Sequence, residues 1–384
     1  YHPWRDGTGT FMTTLPFTRP TIGEQELQAV REVLESGWIT TGPKSLALEQ
    51  ALADYIGGGV QVRVFNSATS GLEASLLVAG IGPGDEVIVP ALSFVATANV
   101  VLRVGARPVF VEVDLHSRNL DAAAVAAAVT PNTRAVIPVH FAGLAVDMEP
   151  LYELAAEHDL LLLEDAAQAI GTEYQGRKIG ASGNPVCFSF HPNKNMTTIE
   201  GGAVASNDAD FVGRLEQVRF HGIEKDSDGN IDVTGWGGKM NLPDVNAAVG
   251  LAQLSRLDSF NRRRRELAAH YFRQLPASDV LVLPADGDGH SWHMFCVCID
   301  HAALGKTRAE MLSLFSERGI AVGTHYPAMH LFSLYRQYGY SEGDFPVAEK
   351  IGGQTLTLPL FPAMTEADVE HVCATVTAIV SGQI

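Results

Sequence analysis

One lysine, Lys194, lies in a polar loop between two hydrophobic stretches of the sequence. The segment Phe188–Phe190 precedes this loop, and Gly201 and Gly202 follow it. A lysine that is confined near other cations or in a poorly hydrated pocket has a lowered pKa, and its neutral amine can form a Schiff base with a carbonyl group. A loop lysine is more often only a solvated charge. Lys194 is therefore a candidate nucleophile that needs support from other groups.

A second candidate is Asp165, which follows Glu164 at the end of the apolar run Leu160–Leu163. A carboxylate at the end of a buried strand costs free energy unless it is paired. A protonated pyridine nitrogen would supply such a partner, and the acid would keep that ring protonated and able to accept electrons. The alternative interpretation is that Asp165 caps the turn that follows.

The third candidate is the segment Asn66–Gly71, which follows one predicted strand and opens a helix. Its small residues allow close approach of an anion, and the free N–H groups and the helix dipole would bind it. An ordinary capped turn explains the same residues equally well. The case for chemistry therefore rests on the three candidates together.

The elements that must position these residues alternate between short apolar runs and helical patterns from about residue 60 to 207. This alternation predicts an α/β fold with a large, mostly parallel sheet that is covered on both faces. Ligands of such sheets bind beyond the carboxyl ends of the strands, where all three candidates lie. The predicted strands are Val62–Asn66, Glu86–Pro90, Arg107–Asp114, Ala135–His140, Leu160–Asp165, Val186–His191 and Gly202–Asn207.

Helical periodicity precedes the sheet, and an α+β pattern follows it. We therefore expect a large domain over residues 12–260, with an N-terminal helical segment, and a smaller C-terminal α+β domain over 261–384. Residues 1–11 resemble a vector-derived extension and are left out of this prediction. The main predicted elements outside the sheet region are Ile22–Ser36, Ser45–Tyr55, Ser291–Ile299, Arg308–Arg318 and Glu366–Val380.

Composition excludes several classes of protein. The 384 residues include 44 acidic and 27 basic side chains, and the net charge of −17 argues against general binding to nucleic acid or to an anionic membrane. No run of about 18 apolar residues predicts a transmembrane helix. The four cysteines lack metal-ligand spacing, so we expect reduced core thiols in a cytoplasmic protein and no metal site.

Taken together, these motifs resemble the DegT/DnrJ/StrS sugar aminotransferases, a family within the fold-type-I, aspartate-aminotransferase-like enzymes that use pyridoxal 5′-phosphate (PLP). The resemblance runs from about Leu15 to the C-terminus. The segments that carry it are Gly37–Pro43, Asn66–Gly71, Gly82–Val87, Pro138–Gly143, Glu164–Gln168, Phe188–Lys194 and Glu200–Gly202.

The resemblance implies that Lys194 forms a Schiff base with PLP and that Asp165 pairs with the pyridine nitrogen. Asn241 matches a residue that reaches the phosphate of the neighbouring subunit's cofactor, which implies a homodimer with shared sites. The other cofactor contacts that it implies are Ser67, Ala68, Thr69, Phe94, Gln168 and Ser189.

For the substrate, the resemblance implies contacts from Thr40, His191, His325, Tyr326 and His330. The chain most resembles the branch of the family that aminates C4 of UDP-linked 4-keto sugars. This branch includes enzymes that make UDP-4-amino-4-deoxy-L-arabinose for lipopolysaccharide. L-glutamate is the expected amino donor, with 2-oxoglutarate and the pyridoxamine form of the cofactor (PMP) as products of the first half-reaction.

Two alternatives stay open. One is a C3-aminating or dehydrating relative that acts on a dTDP-, UDP- or GDP-sugar in an antibiotic or O-antigen pathway. Some members of the family have His in place of the lysine and are dehydratases, whereas this chain keeps Lys194. The other alternative is a non-catalytic regulatory homologue.

Overall fold

The computed structural model describes residues 14–276 and 278–384. The segment 1–11, interpreted above as vector-derived, lies outside the described residues. Within the described ranges, no helix combines the length and the apolar content needed to cross a bilayer.

The first two thirds of the described chain contain twelve strands, eight of which form the central sheet. The sheet has the order β3-β2-β4-β5 on one side and β6-β9-β10-β1 on the other. A parallel bridge between Val139 and Asp165 joins the two halves. The twelve strands are β1 (Gln61–Phe65), β2 (Glu86–Pro90), β3 (Arg107–Val111), β4 (Thr133–Val136), β5 (Leu161–Leu162), β6 (Glu164–Asp165), β7 (Glu173–Tyr174), β8 (Arg177–Lys178), β9 (Val186–Ser189), β10 (Gly202–Ser206), β11 (Ile223–Lys225) and β12 (Ile231–Val233).

The ladders of this sheet are parallel except at β10, which runs antiparallel to both β9 and β1. Strands β9 and β10 are buried along their whole length, as expected for strands with helices on both faces. Because β10 is reversed, its first residue, Gly202, lies at the same edge of the sheet as Asp165 and Ser189. The predicted mostly parallel sheet is confirmed, with this one reversal.

Nine helices accompany these strands in the described chain. Apolar residues at helical spacing form the buried faces of these helices. Leu48 and Leu52 of the second helix, for example, are fully buried. The helices are α1 (Glu24–Ser36), α2 (Pro43–Ile56), α3 (Ala68–Val78), α4 (Ala96–Arg103), α5 (Ala122–Ala128), α6 (Glu149–His158), α7 (Ala209–Val218), α8 (Asp244–Leu254) and α9 (Leu257–Gln274).

The C-terminal part is an antiparallel sheet of order β13-β14-β15 packed with helices, as the α+β pattern predicts. Helix α9 connects it to the rest, because Leu257 packs in a core cluster of the large sheet whereas Leu267 and Tyr271 pack in the C-terminal core. The predicted division between residues 260 and 261 falls inside this helix and stays a prediction. The C-terminal elements are β13 (Leu281–Val282), β14 (Phe295–Ile299), β15 (Thr355–Leu358), α10 (Arg308–Ser316), α11 (Ser333–Arg336), α12 (Pro346–Gln354) and α13 (Glu366–Val380).

Candidate active site

A cavity of about 340 Å³ lies at the edge of the sheet where β1, β6 and β9 end and β10 begins. It is formed by the loops next to these strands, by the first turns of α3 and α4, and by the segment between α10 and α11. Its wall is Ser67, Ala68, Thr69, Leu72, Ser93, Phe94, Ala96, Thr97, Asp165, Ala167, Gln168, Ser189, His191, Asn193, Lys194, Glu200, Gly201, His325 and Tyr326.

The N-terminus of α3 forms one wall of the cavity. Ser67 is its N-cap and accepts a hydrogen bond from the N–H of Ser70 at 3.1 Å. Ala68 and Thr69 lie in the first turn, where free N–H groups and the helix dipole favour an anion. Gly202 packs against this turn so closely that a Cβ atom there would lie 2.4 Å from the Ala68 nitrogen. The turn therefore has the geometry to accept an anion, and its backbone lies against β10.

Asp165 lies on another wall of the same cavity and is only 5% exposed. Burial raises the pKa of its carboxyl group, whereas hydrogen bonds from Thr97 and from Ala167, together with the charge of Lys194, oppose that rise. The Thr97 hydroxyl donates to Oδ2 at 2.8 Å, and the Ala167 N–H donates to Oδ1 at 3.1 Å. The buried acid is thus fixed by two donors and is suited to hold a cationic group in the cavity.

Lys194 reaches the cavity from the loop between β9 and β10. The loop is anchored by the Lys194 N–H, which donates to the His191 carbonyl, and by the Asn195 amide, which donates to the Ser291 carbonyl. Burial lowers the pKa of Lys194 to about 8, and attraction to Asp165 limits the change. About a tenth of the amine is therefore neutral at pH 7, far more than for an ordinary lysine, and the neutral amine can attack a carbonyl carbon.

Gln168 is oriented by the backbone of the loop after β4. Its Oε1 accepts a hydrogen bond from the Ala142 N–H at 2.7 Å. The side-chain NH₂ group is the part of Gln168 that can still donate to a ligand in the cavity.

Behind this site, His140 and Glu164 form a fully buried pair with a distance of 3.0 Å between Nε2 and Oε2. The Val146 N–H donates to His140 Nδ1 at 3.0 Å, so the imidazole proton lies on Nε2 and is donated to Glu164. The His140 N–H also donates to the Asp165 carbonyl. The His140–Glu164 pair therefore stabilises the end of β6, where Asp165 lies.

The outer part of the cavity wall forms its mouth and consists of the exposed residues Phe94, His191 and Glu200 and the half-buried residues His325 and Tyr326. Phe94 is 54% exposed, and its ring centroid lies 5.8 Å from that of Tyr326. Burial and the charge of Lys194 lower the pKa of His325 to about 4. His325 is therefore neutral near pH 7 and can both donate and accept a hydrogen bond.

Three residues predicted for the site lie outside the cavity wall. Thr40 is exposed, and its carbonyl accepts a hydrogen bond from Asp244. Asn241 forms a β-bridge with Phe65, and its side-chain amide donates to Thr41. Their roles stay predictions.

His330 is the clearest departure from the expected site. It is fully buried in the C-terminal part, its Nε2 lies 2.9 Å from Glu349 Oε1, and its ring packs on Phe345. The resemblance predicted a substrate contact for His330, but the structure places it in a buried polar pair. The reason is that the chain turns inward after Pro327, into the short 3₁₀ helix Met329–Leu331.

Sequence reasoning missed Ser93, Thr97, Asn193 and Glu200 as parts of the cavity wall. The first two carry a signal that could have been used. They are hydroxyl residues four positions apart, just beyond the carboxyl end of β2, and this spacing places them together once the chain becomes helical.

Comparison with known proteins identifies the family. The DegT/DnrJ/EryC1/StrS aminotransferase family matches residues 20–377. The spore coat polysaccharide biosynthesis protein SpsC of Bacillus subtilis (strain 168) is 41% identical over 381 residues, which cover 96% of this chain and 97% of that protein.

Solved structures agree over nearly the whole length. Spr1654 from Streptococcus pneumoniae in its PLP form is 30% identical with a TM-score of 0.90, covering 97% of this chain and 100% of that chain. S. venezuelae DesV, in complex with a ketimine intermediate, is 36% identical with a TM-score of 0.87 and 94% of each chain covered. Helicobacter pylori PseC, an aminotransferase involved in the biosynthesis of pseudoaminic acid, is 30% identical with a TM-score of 0.89, covering 96% and 99%. The fold-type-I architecture is therefore confirmed, and the chain belongs to the DegT/DnrJ/EryC1/StrS aminotransferase family.

Proposed function

We propose that this PLP-dependent aminotransferase moves an amino group from L-glutamate to a nucleotide-linked keto-sugar. The observation that carries the proposal is that one cavity contains the Lys194 amine, the buried Asp165 carboxyl group and the anion-binding turn of α3. Membership of the aminotransferase family supports the reaction class, and the polysaccharide role in the name of SpsC supports a sugar substrate.

The residues present fit PLP. The cofactor has a phosphate, a ring nitrogen and an aldehyde, and the cavity offers a helix N-terminus, a buried acid and an amine with a lowered pKa. We assign the phosphate to Ser67, Ala68, Thr69 and Ser189, the ring nitrogen to Asp165, the ring hydroxyl to Gln168, the ring face to Phe94 and the aldehyde to Lys194.

When bound, PLP supplies an aldehyde and an electron-accepting ring for reactions at the carbon next to an amine. Lys194 would act as the base that takes the proton from the α carbon of the donor and as the acid that delivers it to C4′ of the cofactor. Asp165 stays ionised and holds the proton on the ring nitrogen. Tyr326 and Phe94 cover the cavity mouth and limit the entry of water.

The proposal extends to the sugar substrate and to the residues that bind it. We propose UDP-linked 4-keto sugars aminated at C4, as for UDP-4-amino-4-deoxy-L-arabinose, with the product used in a cell-surface polysaccharide or lipopolysaccharide. His191, His325, Tyr326 and Thr40 are the proposed substrate contacts. A second copy of the chain completes the site, with Asn241 directed to the phosphate of the partner's cofactor.

The test begins with the absorbance spectrum of the purified protein, followed by L-glutamate and then by UDP- and dTDP-linked 4-keto and 3-keto sugars. A cofactor band that shifts with glutamate and returns only with a UDP-4-keto sugar supports the proposal, and initial-rate lines should then be parallel. Product NMR that shows nitrogen at C3, or loss of the C3 oxygen, would favour the C3-aminating or dehydrating alternative. Failure to bind PLP at all would favour a regulatory homologue.

A further inference from the structure

Two hydroxyl groups behind Asp165 form a chain that ends on its carboxylate. The Ser93 and Thr97 hydroxyl oxygens are 3.0 Å apart, and Thr97 Oγ1 lies 2.8 Å from Asp165 Oδ2. Ser93 and Thr97 are both buried, and Thr97 is completely so. All three residues also border the cavity.

The protons of this chain have one possible direction when Asp165 is ionised. A carboxylate can only accept, so the single Thr97 proton is donated to Asp165. Thr97 Oγ1 can then only accept from its other partner, so Ser93 is the donor in that contact. Each hydroxyl polarises the next one, which strengthens the bond that reaches the charge.

Burial alone works against an ionised Asp165, because it raises the pKa of the carboxyl group. The charged and titratable groups that face Asp165 are Lys194 of the loop between β9 and β10, His140 after β4, Cys187 of β9 and Tyr326 of the C-terminal part. Of these, Lys194 is the group whose nitrogen becomes less basic when its amine reacts with an aldehyde. A neutral donor to the carboxylate keeps its effect through that reaction.

We propose that Thr97, oriented by Ser93, is a positioning residue that keeps Asp165 ionised and in one plane for the ring nitrogen of PLP. The inference rests on the proposed function in that Asp165 is taken to meet that nitrogen. Thr97 lies in the first turn of α4, and its hydroxyl fixes Oδ2 as the Ala167 N–H fixes Oδ1. The two hydrogen bonds, one to each carboxylate oxygen, fix the orientation of the carboxylate and of its remaining lone pairs.

The first test is the affinity of the apo-protein for PLP in Thr97→Val, which removes the hydroxyl and keeps the shape. A hydrogen bond to a charged group is worth enough that we expect affinity to fall roughly tenfold to a hundredfold. Thr97→Ser should restore most of it. Thr375→Val, which removes a buried hydroxyl bonded to the His371 carbonyl in α13, is the matched control and should bind PLP normally.

The second test needs no cofactor and compares the unfolding equilibrium of four apo-proteins at pH 7: wild type, Thr97→Val, Asp165→Asn and the double variant. If Thr97 favours the ionised acid, Asp165→Asn stabilises the Thr97→Val background more than it stabilises wild type, by about tenfold or more in the unfolding constant. Additive effects in this cycle together with normal PLP affinity of Thr97→Val would overturn the inference. If Asp165→Asn leaves PLP affinity unchanged, the pairing with the ring nitrogen fails, and the apo-protein cycle alone decides the role of Thr97.

Discussion

Lys194 is the residue whose ionisation we expect to set the pH range of cofactor uptake. Its pKa is lowered to about 8, so the neutral amine that attacks an aldehyde increases as the pH rises through that value. We expect the rate at which the apo-protein takes up PLP to rise between about pH 6 and pH 9 and then level off. Stopped-flow absorbance after mixing with PLP measures this rate. A midpoint near the pKa of an ordinary lysine, about 10.4, would contradict the proposed environment.

We expect the buried charge of Asp165 to lower the stability of the apo-protein. Its pKa in the folded state is raised, so folding takes up a proton relative to the unfolded chain and stability falls as the pH rises from the unfolded value toward the folded value. Asp165→Asn should therefore unfold at a higher temperature than wild type at pH 7 when PLP is absent, and the difference should disappear below about pH 4.

The loaded enzyme should show the opposite preference at this position. Without the negative charge, the ring nitrogen loses its partner, and kcat is expected to fall by roughly 10²–10³-fold. Thermal unfolding of apo- and holo-protein, with steady-state rates on the same samples, separates the two effects. An apo-protein made less stable by Asp165→Asn at pH 7 would show that burial does not oppose this charge.

At the scale of elements, the contact between β10 and the N-terminus of α3 fixes the backbone of the proposed anion site. A Cβ added at Gly202 would lie 2.4 Å from the Ala68 nitrogen and 2.6 Å from the Ser67 carbonyl carbon, so Gly202→Ala must displace the turn. We expect a loss of about 1–3 kcal/mol in the free energy of unfolding and weaker binding of PLP by about tenfold or more. Urea unfolding and PLP titration measure the two quantities.

Gly213→Ala is the matched control for that substitution. Gly213 lies within α7, and among the described residues no heavy atom outside its own helix lies within 4 Å of the position that a Cβ would take. This change should stabilise the protein by up to about 1 kcal/mol and leave PLP binding unaltered. Equal losses in both variants would indicate that the close contact at Gly202 has no special effect.

Elements with strong local boundaries were predictable from the sequence. The helix Glu366–Val380 matches its prediction at both ends, because Thr365 and Asp368 form a capping box at its start. Strand β9 was predicted two residues too long. Phe190 is apolar and fully buried, so the hydrophobic pattern continues after the ladder has ended at Ser189.

The site was predictable where chemistry coincides with the ends of strands. The sequence located Ser67, Asp165 and Lys194, and the structure brings them into one cavity. It did not locate Thr97, whose role depends on a partner 68 residues away. His330 lies outside the cavity wall and pairs with Glu349, 19 residues away, and local sequence patterns do not report such a pair; its substrate role stays a prediction.

At the scale of the whole molecule, the proposed homodimer can be tested by mixing two inactive variants. Lys194→Ala and Asn241→Ala homodimers should both be impaired, the first in its own site and the second in its partner's site. After unfolding and refolding together, half of the dimers are mixed and contain one intact site, so we expect roughly a quarter of wild-type activity. No recovery in mixed dimers, isolated through a different affinity tag on each variant, would place Asn241 within its own subunit's site.

One part of the cavity wall consists of backbone atoms, and another part consists of side chains on loops. The anion-binding turn consists of backbone atoms held by the closeness of Gly202, whereas the mouth consists of the side chains of His191, Glu200 and His325 on loops. Random substitutions in those loops change the shape and charge offered to a sugar and leave the backbone of the turn in place. Laboratory evolution toward a new sugar should therefore succeed most readily with libraries at the mouth, because such variants retain their cofactor while their substrate preference changes.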